Sequence, residues 1–301
     1  MGTSSTYESE QPFVVKNTIK PTALSQQVAD FIAQVRPLDL IVFKGGDCVS
    51  DGIRKLELLE TGSDAISHVE VAINGLWCSN IKLAPGVTNK TMLSWGSTLS
   101  GDINDGMPNE ETGKTTFGVQ IRVLEDLISQ YIQNPLANVG VCRLIDNPTT
   151  KHKNESLLNF LSRTELTRTK ISNAYVKYNG MTYNANPFAL LGAMFPSMRP
   201  MRNAVGEVLG RFTSANKWLF CSEWVCVLYE ELGIICDDTD GIHDGKMPDP
   251  RDVLPVDFLG YDADLSGIVV PICNIPPIWV KTLIRKKIVK KSKPMLLSEQ
   301  S

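Results

Sequence analysis

A cysteine, a histidine and a carboxylate brought together can run acyl-transfer chemistry. The sulfur attacks a carbonyl, the imidazole takes the thiol proton, and the acid orients the imidazole. Cys221 is the candidate sulfur. It lies in the first turn of the helix read over the apolar stretch Lys217 to Ile235, and Val225, Leu228 and Leu232 follow it at offsets that share one helical face. Gly233 stands where a left-handed cap would close that helix. Trp218-Leu219-Phe220 is too apolar to be an exposed N-cap, so the helix is expected to begin inside the protein. There, unpaired amide N–H groups and the helix dipole favour a thiolate, provided a cation is near. The plainer reading of Cys221 is a small core hydrophobe. Cys226 lies in mid-helix, with no terminus to activate it, and reads as inert.

The cation would be one of three histidines. His152 sits between Lys151 and Lys153, where water would surround it, and His243 lies in the acidic run Asp237 to Asp244. His68 opens the strand-like run His68 to Ile73, where alternation places His68, Glu70 and Ala72 on one face and Val69, Val71 and Ile73 on the other. His68 is either a histidine satisfied within the core or the partner that Cys221 requires.

The elements that must position these residues form an α+β pattern. Residues 1–23 are polar and without apolar periodicity, and read as a disordered segment. A short helix is expected over Leu24 to Gln34 and another over Ser50 to Leu59. Strands are expected at Asp39 to Lys44, His68 to Ile73, Thr91 to Thr98, Gly118 to Val123 and Val139 to Ile145, with a turn at Asn74-Gly75. Ser100 to Thr116 reads as a loop, and residues 146–170 as polar and helical. Tyr175, Tyr178 and Tyr183 surround Gly180, the stretch Ala189 to Phe212 suggests a covering flap, and a last strand is expected at Ile268 to Val270.

Composition bounds the function. The 301 residues are 43% apolar and 21% charged, ordinary for a globular chain. The net charge of −3 is uneven: seven basic residues and no acid lie between Lys281 and Lys293, so the rest carries −10. An acidic body with a basic tail argues against a nucleic-acid-binding body, and no specific nucleic acid is expected as a partner. The seven cysteines (48, 78, 142, 221, 226, 236 and 273) show no metal-ligand spacing, and three histidines leave little for zinc. No metal and no cofactor are expected. An odd, scattered cysteine set fits a reducing, intracellular compartment. The best apolar run, Ile268 to Val280, is broken by Pro271, Pro276 and Pro277 and is too short to span a membrane. Met1-Gly2-Thr3-Ser4-Ser5-Thr6 matches the N-myristoylation pattern. A lipid on Gly2 plus the basic tail would make a two-signal peripheral-membrane anchor; otherwise both termini are solvated.

Ile66-Ser67-His68-Val69, followed much later by Phe220-Cys221-Ser222-Glu223, resembles the circularly permuted branch of the NlpC-like, papain-fold superfamily. That group includes YiiX-like and lecithin:retinol acyltransferase-like proteins, with relatives in poxviruses and other large DNA viruses. Supporting echoes are Asp39-Leu40-Ile41 leading to Gly45-Gly46, Gly180-Met181-Thr182-Tyr183, and Pro255-Val256-Asp257-Phe258. The resemblance spans about residues 37–270 and implies an antiparallel sheet packed against the cysteine helix. The domain would run over residues 24–280, with a helical and flap insertion at about 146–216 and a basic tail at 281–301.

The resemblance also implies roles. Cys221 would be the nucleophile, His68 the base, and the Cys221 N–H part of an oxyanion hole. Tyr183, with Trp95 and Ser97, would line the substrate pocket. Similar sequences often carry a glutamate in a Trp-Glu-Ser-like string after the histidine strand, where this chain has Trp95-Gly96-Ser97. Glu70 or Ser97 would have to replace that acid. The expectation is a thiol hydrolase of peptide, amide or acyl-lipid bonds, working in the cytoplasm of a host cell or in a virion. The alternative is a silent structural protein that keeps the fold.

Overall fold

The computed structural model describes residues 23–45, 66–78, 81, 83, 86–98, 118–144, 147–183, 218–234, 255, 258 and 278–279. Gly2 and the N-terminal segment, the expected helix at Ser50 to Leu59, the Ser100 to Thr116 loop, the flap, His243, the Ile268 to Val270 strand and the basic tail lie outside the described residues.

Six antiparallel strands make the main sheet. In chain order these are β1 (Leu40–Lys44), β2 (His68–Asn74), β3 (Met92–Thr98), β4 (Gly118–Val123), β5 (Asn138–Cys142) and, far along the chain, β8 (Ile278–Trp279). Across the sheet the order is β4-β3-β2-β1-β5-β8. Its middle is hydrophobic on both faces: Leu40 to Phe43 of β1 are all buried, as a strand covered on two sides requires. β6 (Thr182–Tyr183) and β7 (Trp218–Leu219) form a separate parallel pair.

Helices cover both faces. On one face, α1 (Ala23–Ile32) and α2 (Leu124–Gln133) enclose a core of Val28, Phe31, Ile41, Phe43, Ala72, Leu127, Ile128 and Val141. On the other, α3 (Leu157–Tyr178) and α4 (Cys221–Leu232) bury Val69, Val71, Ile73, Trp95, Ile171, Ala174, Trp224, Val225 and Leu228. The alternation expected for β2 holds, because Val69, Val71 and Ile73 fall in the second core and Ala72 in the first.

β1 to β5 follow the sequence expectation to within a few residues, whereas β6, β7, β8 and two helices depart from it. No element was anticipated over Leu124 to Gln133, yet Leu124, Leu127, Ile128, Tyr131 and Ile132 are buried at helical spacing. The helix expected to end near residue 170 instead runs on to Tyr178, past Tyr175, and so places Ile171 and Ala174 in the core. Ser156 caps its start, accepting a hydrogen bond from Asn159 N–H at 3.1 Å.

Two contacts lock α4 onto the sheet. Tyr229 Oη donates to Leu38 O at 2.9 Å, and Trp224 Nε1 to Trp95 O at 3.4 Å. At its C-terminus Gly233 takes the left-handed conformation (φ 72°), with its N–H bonded to Glu230 O and Tyr229 O. A side chain would be strained there, so the glycine ends the helix.

Candidate active site

Cys221 is the first residue of α4 and is 5% exposed. β7 leads straight into it, and its parallel pairing sets Tyr183 beside Leu219, two residues before the cysteine. Phe220 occupies the N-cap position in extended geometry with no side-chain cap of its own. Glu223, buried in the first turn, reaches back so that its Oε2 accepts Phe220 N–H at 3.1 Å. One half of a capping box is thus present. The N–H groups of a helix's first turn have no backbone acceptor within the helix.

His68 is held at the other side. Ser67 fastens the end of β2 to β1: its N–H donates to Phe43 O at 2.8 Å, and its Oγ accepts Gly45 N–H at 2.8 Å. Phe43 pairs with His68 across the strands, and its ring lies 5.3 Å from the imidazole. His68 Nε2 bonds Glu70 Oε1 at 2.8 Å. That leaves Nδ1 as the ring nitrogen not engaged by Glu70.

Electrostatics tie the imidazole to the sulfur. Burial alone would lower the His68 pKa; the negative charge of the Cys221 sulfur, a hydrogen bond to it, and Glu70 more than offset this and hold it at about 10. For Glu70, burial would raise the pKa. The Arg122 guanidinium, then bonds from His68 and Ser94, outweigh burial and bring it to about 2. His68 is thus held as a cation, between a carboxylate and a sulfur that both favour its proton.

The carboxylate itself is fixed by β3 and β4. Ser94 Oγ donates to Glu70 Oε2, and Arg122 Nη2 donates to Glu70 Oε1. Both residues are fully buried and pair with each other across β3 and β4. Neither was anticipated from the sequence. The available signal was alternation: Arg122 sits between the apolar Ile121 and Val123, so a strand there must point a charge inward or leave that face to water.

Gly96 has a steric reason. The register that sets Val71 opposite Trp95 carries Glu70 beside Gly96, and a Cβ on residue 96 would meet Glu70 Cγ at 2.3 Å. The space that a side chain at 96 would fill is taken by the Glu70 carboxylate.

The remaining expected site residues divide. Trp95 is in the core: it is fully buried, its ring 4.9 Å from Trp224 and 6.2 Å from Tyr175. The indole is covered because α4 lies directly on it. Ser97 is fully buried too, and alternation puts it on the Trp95 face, opposite to Ser94 and Glu70. The Tyr183 backbone is placed near the start of α4. His152 is exposed, as expected of a histidine between lysines. Asp39, one of the supporting echoes, is structural: it accepts hydrogen bonds from Arg36, Arg143, Asn147 and the Leu144 N–H at the opposite end of β1 from His68.

No family model and no curated protein matches this chain.

Cys78, Cys142, Cys221 and Cys226 are all buried and form no disulfide with one another. Among the described residues no group of three His, Cys, Asp or Glu could hold a metal ion, and no helix is long and apolar enough to cross a membrane.

Proposed function

We propose that the chain is a thiol hydrolase of amide or acyl bonds, built on a circularly permuted papain-like arrangement in which the histidine strand precedes the cysteine helix. The observation that carries this reading is the line Glu70–His68–Cys221, with the carboxylate on Nε2 and the sulfur acting on the same ring from the start of a buried helix. A cysteine serving only as core filler needs no imidazole, and a core histidine needs no sulfur.

The cycle follows from the geometry. With the thiol proton already on His68 at Nδ1, the Cys221 thiolate attacks the carbonyl carbon, and the Cys221 N–H stabilises the oxyanion. His68 returns that proton to the leaving amine or alkoxide, and a thioester remains. Water then adds to the thioester carbonyl, giving one proton to His68. Collapse releases the acid and leaves the Cys221 thiolate beside protonated His68. An acceptor alcohol or amine in place of water would make the same site a transferase.

The reading as a silent structural protein rested on the missing acid at position 96. Glu70, bonded to the imidazole, supplies a carboxylate in the space that Gly96 leaves open, and this favours the enzymatic reading.

An electrophilic activity-based thiol probe tests it. Wild type is expected to be labelled at Cys221, with Cys221→Ala unlabelled and His68→Ala labelled at least ~100-fold more slowly, within the usual contribution of a positioned base. Labelling of Cys221 that proceeds equally well without His68 would overturn the reading.

A further inference from the structure

The Cys221–His68 pair accounts for Glu70 but not for the buried arginine behind it. Arg122 has a side chain only 2% exposed, on a strand whose inward face is otherwise closed. Its Nη2 donates to Glu70 Oε1, the same oxygen that takes the His68 Nε2 contact, while Ser94 donates to Oε2. Arg122 bonds Glu70, Glu70 bonds His68, and His68 interacts electrostatically with Cys221. They come from three elements that meet only in the folded sheet, β4, β2 and α4.

Burying an arginine is costly unless it is paired, so its presence calls for a reason. The imidazole cannot by itself keep Glu70 charged, because His68 loses its proton once in every turnover of the proposed cycle. At that moment a buried, otherwise unpaired carboxylate would take up a proton. A protonated Glu70 could donate to His68 Nε2, and the ring would then carry its own hydrogen on Nδ1, facing the sulfur. That tautomer cannot accept the proton of the attacking water at Nδ1. A guanidinium does not titrate in the working range and so supplies the one charge that stays constant through the cycle.

We propose that Arg122 is a positioning residue for the Cys221–His68 pair: its fixed charge keeps Glu70 an anionic acceptor and so holds neutral His68 with its hydrogen on Nε2 and its lone pair toward Cys221. The inference rests on reading Cys221 as nucleophile and His68 as base. The groups facing Glu70 are His68 on β2, Ser94 on β3 and Arg122 on β4, with Cys221 of α4 acting through His68. The acids of the neighbouring α2, Glu125 and Asp126, are exposed. Lys44 of β1 lies over the Trp279 ring, and Asp30 of α1 is bonded to Gln26 and Gln34, the latter through its carbonyl.

The test is the pH dependence of Cys221 alkylation by iodoacetamide, followed by peptide mass spectrometry on full-length protein. It compares wild type, Arg122→Met, Arg122→Lys, Glu70→Gln and the Glu70→Gln/Arg122→Met double variant. Arg122→Met is expected to move the acidic limb of the rate profile upward by about 1–3 pH units, the usual effect of a lost counter-charge on a carboxylate. Arg122→Lys, which keeps the charge, should hold the limb closer to wild type. In the Glu70→Gln background, removing Arg122 should produce no further shift, because no carboxylate is left to hold.

The proposal is overturned if folded Arg122→Met reproduces the wild-type profile, or if the shift persists undiminished in the Glu70→Gln background. Should Arg122→Met fail to fold, Arg122→Lys decides against the double variant: a Lys profile displaced as far as that of the double variant overturns the proposal. Failure of the underlying reading is separately visible, as wild-type labelling that does not depend on His68.

Discussion

Glu70 and Gly96 share one space. A Cβ on residue 96 would lie 2.3 Å from Glu70 Cγ and 2.8 Å from its Oε1, so the glycine on β3 is the condition for the glutamate on β2. Glu70 cannot easily swing aside, because His68, Ser94 and Arg122 all bind its carboxylate. Gly96→Ala is therefore expected to lower stability by about 1–3 kcal/mol, as overpacking of a closed interior does. It should also slow Cys221 alkylation by displacing the carboxylate from the imidazole. Urea denaturation and a labelling time course measure the two effects, and a stable, fully reactive Gly96→Ala protein would contradict the account.

Stability should depend on pH from both ends. His68 has its folded pKa raised from 6.5 to about 10. Its favourable contribution is therefore complete below pH 6.5 and is lost as pH climbs toward about 10. Glu70 is depressed from 4.5 to about 2, so its contribution is present above pH 4.5 and disappears as pH falls toward about 2. Denaturation midpoints measured across pH should form a plateau between these limbs. His68→Ala should flatten the alkaline limb, and an unchanged slope there would count against the pairing.

Trp95 tests the difference between core and site. Its ring is enclosed by Trp224 and Tyr175, so Trp95→Ala should cost about 3–5 kcal/mol. Trp95→Phe should spare most of that and leave the pH profile of Cys221 labelling where it is. Selective loss of reactivity in a stable Trp95→Phe protein would return this residue to the site.

Glu223 holds the turn that presents the nucleophile, through the Phe220 N–H. Glu223→Ala is expected to cost about 0.5–2 kcal/mol, the range for losing a helix cap, with Glu223→Gln costing less because its amide oxygen still accepts. Thermal or urea unfolding of the two variants checks the order, and equal losses would show that the carboxylate acts in some other way.

Local patterns carried much of this structure, and pairings across the sheet carried the rest. The cysteine helix was legible because Val225, Leu228 and Leu232 keep one face and Gly233 ends it, and the structure has α4 over Cys221–Leu232. β2 was legible from strict alternation. Helix α2 was overlooked because its apolar positions follow a strand without a glycine, a proline or a side-chain cap to mark the boundary; its N-cap is Val123. Ser94 and Arg122 were invisible for a different reason. Their partner Glu70 is 24 and 52 residues away in sequence, and only the register of β2, β3 and β4 brings them together. Position 96 shows the limit most clearly: read along the chain it is a missing acid, and read across the sheet it is the room in which another acid sits.

The measurement that bears most directly on the central claim is a cross-link. A three-carbon bifunctional alkylator such as 1,3-dibromoacetone, applied to the native protein, should attach first to Cys221 and then bridge to His68. Mass spectrometry would recover the two peptides as one joined product that vanishes in His68→Ala. If Cys221 is alkylated but joins another residue or none, sulfur and imidazole do not meet, and the proposed chemistry has no base.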